Sequence, residues 1–111
     1  MSKSVTIGPY VVGEKPAPLE YAFLDASGTA INITGWSVRF QCVERFGTPF
    51  SGNGVVSDGP NGKAQYVFTG AEFPTPGQYR AEFWVGNGTN RYASIDIKFD
   101  VQAPVTTAPS I

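Results

Sequence analysis

At 111 residues, 41% hydrophobic and 14% aromatic, the chain has the length and apolar content for one domain with its own core. Eight Lys and Arg against nine Asp and Glu leave a net charge of −1, with no basic excess to neutralise a phosphate backbone and no like-charge run to hold an anionic membrane, which argues against nucleic-acid and membrane partners. No histidine is present, which removes the commonest general base and metal ligand, and thirteen Gly with nine Pro favour turns over helices.

Met1-Ser2-Lys3-Ser4 runs into Val5-Thr6-Ile7 without the apolar stretch of a secretory signal. Ser4 to Val12 reads as a strand or extended arm broken at Gly8-Pro9, where proline demands an edge or a kink. Residues 1–15 are therefore set apart as an N-terminal strand or arm. Leu19 to Asp25 is a strand with Leu19, Tyr21 and Phe23 on one face. After the turn Ala26-Ser27-Gly28-Thr29, Ile31 and Ile33 read as apolar plugs. Asn32-Ile33-Thr34 fits the glycosylation pattern, as does Asn87-Gly88-Thr89, and both read as turns.

Trp36 to Phe46 is the next strand, with Trp36, Val38, Phe40 and Cys42 on one face and Ser37, Arg39 and Gln41 on the other. Gly47 to Gly54 reads as a loop and Gly54 to Ser57 as a short strand. Asp58-Gly59-Pro60-Asn61-Gly62 is a dense turn signal. It offers one carboxylate and lacks the calcium-loop pattern, so a tight turn explains it better than a metal. Lys63 to Thr69 is a strand, and Ala71-Glu72-Phe73 in the connection after it reads as a short helical turn.

Pro76-Gly77 opens the clearest strand. Tyr79, Ala81, Phe83 and Val85 alternate with Gln78, Arg80, Glu82 and Trp84, the period of a half-buried strand. Asn87-Gly88-Thr89-Asn90 is a hairpin loop. Arg91 to Val101 reads as one returning strand, with Ala93, Ile95, Ile97, Phe99 and Val101 inward and Tyr92, Ser94, Asp96, Lys98 and Asp100 outward. Residues 102–111 carry two prolines and no periodicity, and read as a flexible tail or docking arm.

About seven short strands without a long helix predict an all-β chain: an immunoglobulin-like, two-sheet antiparallel β-sandwich over residues 16–101 with extended termini. Tyr79, just after the turn into the penultimate strand, holds the place of a tyrosine corner. With Cys42 the single cysteine, no disulfide joins the sheets, and Cys42 reads as a small buried hydrophobe.

No catalytic pair emerges. Asp96 and Asp100 share a face but stand about 13 Å apart along an extended chain, with Lys98 between them. The glycines precede no helix, so they form no phosphate loop. The candidate site is instead an interaction surface. Trp84 and Tyr92 are expected side by side on the outward faces of two hairpin strands, with Arg80, Glu82 and Asp96 around them. Aromatics with Arg are what protein interfaces favour. Cover by the tail or first segment, and stacking on a sugar ring, are the other two readings.

Four segments together carry a resemblance: Leu19-Glu20-Tyr21-Ala22-Phe23-Leu24-Asp25-Ala26-Ser27-Gly28, Ile33-Thr34-Gly35-Trp36-Ser37-Val38-Arg39-Phe40, Asn61-Gly62-Lys63-Ala64-Gln65-Tyr66-Val67-Phe68-Thr69 and Pro76-Gly77-Gln78-Tyr79-Arg80-Ala81-Glu82-Phe83. In this order they resemble the N-terminal immunoglobulin-like domain of tailed-bacteriophage upper baseplate proteins and related small phage virion domains. The resemblance covers about residues 16–101. It implies a non-enzymatic structural component of a virion, made in the host bacterial cytoplasm, without catalytic residues, cofactor or metal. Its partners would be phage capsid or tail proteins, with a homo-oligomer possible. In the family further domains follow this one. Here the sequence ends at Ile111, which favours a capsid decoration or a tail or baseplate accessory. A carbohydrate-binding or host-adhesion module, taking a host glycan, is the alternative.

Overall fold

The computed structural model describes residues 4–106. Ten strands and one short 3-10 turn (Gly59–Asn61) follow in order. They are β1 (Ser4–Thr6), β2 (Tyr10–Val11), β3 (Leu19–Ala22), β4 (Ser37–Glu44), β5 (Phe50–Asn53), β6 (Val55–Asp58), β7 (Lys63–Tyr66), β8 (Gly77–Gly86), β9 (Arg91–Ala93) and β10 (Asp96–Gln102). The larger sheet has seven strands in the order β1-β10-β8-β4-β5, with β2 also on β10 and β9 also on β8. The smaller sheet is β3-β7-β6. This is the expected all-β, two-sheet arrangement, with the long runs cut into more strands than the seven expected.

The alternation in β4 and β8 dictates the core. Val38, Phe40 and Cys42 from β4 and Tyr79, Ala81, Phe83 and Val85 from β8 are buried, as are Ala64 and Tyr66 from the facing sheet. Phe40 stacks on Tyr66 at 4.4 Å and meets Phe83 edge-on at 5.2 Å, so aromatic contacts join the sheets where no disulfide does. Ile33, fully buried, plugs the sandwich beside them. The Tyr79 hydroxyl donates to the Thr75 carbonyl at 2.7 Å, closing a tyrosine corner four residues back along the chain.

Four local expectations are corrected. Phe50–Asn53, expected as loop, pairs with β4 as an edge strand, with Ser51 opposite Gln41. The chain then crosses between sheets at Gly54, where a Cβ would lie 2.6 Å from the Gln65 carbonyl oxygen. Only glycine fits that approach. Ala71-Glu72-Phe73 forms no helical turn, because Glu72 and Phe73 are both drawn into the core. The sheet is also not wholly antiparallel, since β1 and β2 lie parallel to β10, with Val5 opposite Ile97 and Tyr10 opposite Val101. The kink between them falls at Gly8-Pro9, whose peptide bond is cis.

The fourth correction moves a candidate residue. Arg91 to Val101 is two strands, not one. β9 pairs with β8 so that Tyr92 faces Val85 and Ala93 faces Trp84, whereas β10 pairs so that Ile97 faces Ala81. Between these registers Ile95 and Asp96 both stand opposite Glu82, a β-bulge that reverses which side chains point inward. Ser94 holds the bulge: its amide donates to the Phe83 carbonyl, and its hydroxyl accepts from the Phe83 amide at 2.9 Å.

Residues 4–12, expected as a strand or extended arm, form strands in the chain's own sheet. Beyond Val11, Val12 still donates to the Gln102 carbonyl, and Tyr10 stacks on Phe73 at 5.1 Å. Residues 1–3 of that arm and 107–111 of the tail lie outside the described residues.

Candidate functional site

The outer face of the larger sheet carries the site. β8 runs through its middle, between β4 on one side and β10 and β9 on the other, and points Arg80, Glu82 and Trp84 away from the core. Arg80 forms an ion pair with Asp96 across the strand gap. The Trp84 indole N–H donates to the Glu82 carboxylate at 2.7 Å. Arg39 stands directly opposite Trp84 on β4, and the Arg91 guanidinium lies 6.0 Å from the Trp84 ring centre. The indole is therefore half-buried among polar neighbours, its orientation set by one hydrogen bond and one cation–π contact.

Four of the five expected residues thus share this face: Trp84, Arg80, Glu82 and Asp96. Tyr92 does not. The bulge at Ile95 places it opposite Val85, on the other side of the sheet. There it stacks on Trp36, 5.9 Å between centres and 11° between planes. Trp36 and Trp84 both border an open cleft of about 730 Å³ at this end of the sandwich. Residues 35–39, 53–56, 84–86, 88 and 91 line it, and none of residues 4–12 or 103–106 is among them.

Two features escaped the sequence. Phe46, at the tip of the β4–β5 hairpin, is 85% exposed, with the Arg45 guanidinium 5.1 Å from its ring centre. Its amide donates to the Glu44 carboxylate at 2.7 Å, which fixes the tip. The only signal was the failing alternation after Cys42. The second is Glu72, a carboxylate 1% exposed. It accepts from the Tyr66 hydroxyl, the Thr69 hydroxyl at 2.9 Å and the Thr69 and Gly70 amides at 3.0 Å. Burial pushes this carboxyl up, but those donors outweigh it and hold Glu72 below the ordinary carboxylate value. Burial, and the hydrogen bond to Glu72, push Tyr66 up. The Cys42 thiol, pushed to about 12 by burial and then by the Glu72 charge, lies against the Glu72 carbonyl.

On this face Asp96 is paired with Arg80, and Glu82 accepts from the indole N–H, while Glu72 is sealed in the core. Among the described residues no three carboxylate or thiol side chains come together as metal ligands. No curated protein matches the chain. A family model described as the BppU N-terminal domain matches residues 24–109, a span that contains β4 to β10 and the whole candidate face.

Proposed function

We propose that this chain, which belongs to the BppU N-terminal domain family, is a non-enzymatic structural module of a tailed-phage virion that docks on a neighbouring virion protein through the sheet face around Trp84. The family is a domain of phage baseplate upper proteins, and that supports the baseplate over the capsid. The observation that carries the docking surface is Trp84 itself. A half-buried indole, fixed in orientation and flanked by two arginines on an otherwise polar face, has the composition of an interface hot spot. Many weak contacts of this kind become effective through avidity in a symmetric particle. Residues 102–111, of which Gln102 itself closes β10, are proposed as a second contact, a docking arm whose remainder adds a strand to a neighbour's sheet edge.

Quantitative mass spectrometry of purified particles tests the assignment by counting this chain against the baseplate and major capsid proteins. Copies in proportion to the baseplate proteins support it. Copies in proportion to the capsid protein would move the chain to a decorating role, and absence from particles would overturn the virion reading.

A host glycan is the second reading, favoured by the Trp36–Tyr92 stack beside the cleft, where Tyr92 is 40% exposed and can offer a flat ring. It predicts a tryptophan fluorescence change on titration with host cell-wall sugars. No response across such a panel removes it.

A further inference from the structure

We infer that the partner surface received at Trp84 is acidic: a polypeptide segment of a neighbouring virion protein whose carboxylates meet Arg39 and Arg91. This rests on the docking reading and names the chemistry of its partner. Arg39 and Arg91 are the only charged residues among those that line the cleft, in a chain whose net charge is −1. Neither is in an ion pair; the pairs among the described residues are Lys63–Glu20 and Arg80–Asp96. Glu82, the acid beside Trp84 on β8, accepts from the indole N–H and keeps its charge, so two guanidiniums stand against one neighbouring carboxylate. Two unpaired guanidiniums on a slightly acidic protein thus stand where Trp84 leaves the core on this face.

The chemistry of the two side chains narrows the ligand. A guanidinium presents a planar fork that matches a carboxylate through two hydrogen bonds. The Arg91 guanidinium lies 6.0 Å from the indole centre, so a carboxylate that it binds is brought beside Trp84. Besides the arginines the cleft is lined by Trp36, Val55 and Val56 with the neutral Ser37 and Asn53. That mixture suits a segment carrying apolar residues between its acids. A nucleic acid would meet only two cations, too few for the many phosphate contacts such binding rests on.

The test uses the full chain and poly-L-glutamate as probe, followed by amide and side-chain NMR. Shifts are expected at the Trp84 indole N–H and at the Arg39 and Arg91 Nε–H, fading at high salt and lost in Arg39→Gln/Arg91→Gln. Both arginines are exposed, so the rest of that variant's spectrum should match the parent. In particles, Arg39→Gln/Arg91→Gln should lower the copy number about tenfold, as expected for paired interface charges. Shifts that persist in the double variant, an equal response to single-stranded DNA, or unchanged occupancy of the double variant would each overturn the inference. If Trp84→Ala lowers occupancy while the double variant does not, the docking reading stands and the acidic partner alone fails. If neither variant lowers it, the docking reading itself fails.

Discussion

Glu72 shows how one residue can bind a connection to the core. Its carboxylate is sealed from water yet charged, because hydroxyl and amide donors replace the lost hydration. Hydrogen bonding favours the charged form, so its contribution to stability is full above the unfolded carboxyl value of about 4.3 and is lost as pH falls through the lower folded value. Glu72→Gln turns one end of the group into a donor facing donors. It should cost about 2 kcal/mol at neutral pH in urea unfolding and flatten the acid limb of the stability profile. An unchanged acid limb would assign that limb to other carboxylates. Tyr79→Phe should cost about 1 kcal/mol through the lost bond to Thr75, measured the same way. Tyr79 was legible because it follows a Pro-Gly turn into an alternating strand. Glu72 was not, since a lone Glu between Ala and Phe carries no sign that four donors converge on it.

At the scale of elements, alternation was a reliable guide wherever a strand ran without interruption. In β4 and β8 every second residue from Val38 to Cys42 and from Tyr79 to Val85 is buried, as their pattern requires. The returning strand looked as regular and was not. One extra residue at Ile95 and Asp96 leaves Ile97, Phe99 and Val101 inward but turns Ala93 outward and takes Tyr92 away from Trp84. A period of two cannot register a bulge whose flanks are themselves alternating. The signal lay in Ser94, whose hydroxyl substitutes for a backbone acceptor. Ser94→Ala should leave the Phe83 amide without that partner and cost about 1 to 2 kcal/mol in urea unfolding. No loss would mean that the ladder closes around the bulge unaided. The N-terminal strands behave as structure rather than as a free arm. Deleting residues 1–12 uncovers β10 and removes Tyr10 from Phe73 and Phe99, so it should lower the melting temperature as well as any attachment.

On the proposed reading, the two faces of the larger sheet are divided between stability and recognition. The inner face of the larger sheet is aromatic and closed, and Phe40, fully buried against Tyr66, Phe68 and Phe83, is its centre. Phe40→Ala should cost about 3–5 kcal/mol in urea unfolding, a large part of the roughly 5–15 kcal/mol that holds a domain together. Cys42 reports on the same core. With its thiol pushed to about 12, iodoacetamide should modify it at neutral pH only as fast as the sandwich unfolds. Among the described residues the outer face carries charge, a single tryptophan and no covering element, as the proposed docking on a neighbour requires. The fold and most of that face could be read from the sequence, since both follow from β8. The pairing of Trp84 with Arg39 and Arg91 needed the strand register. The most direct test is the copy number of the Trp84→Ala chain in purified particles, measured beside its melting temperature. The account predicts a modestly lowered melting temperature, with the chain still folded, and occupancy reduced about tenfold. Full occupancy by a folded Trp84→Ala chain would contradict it.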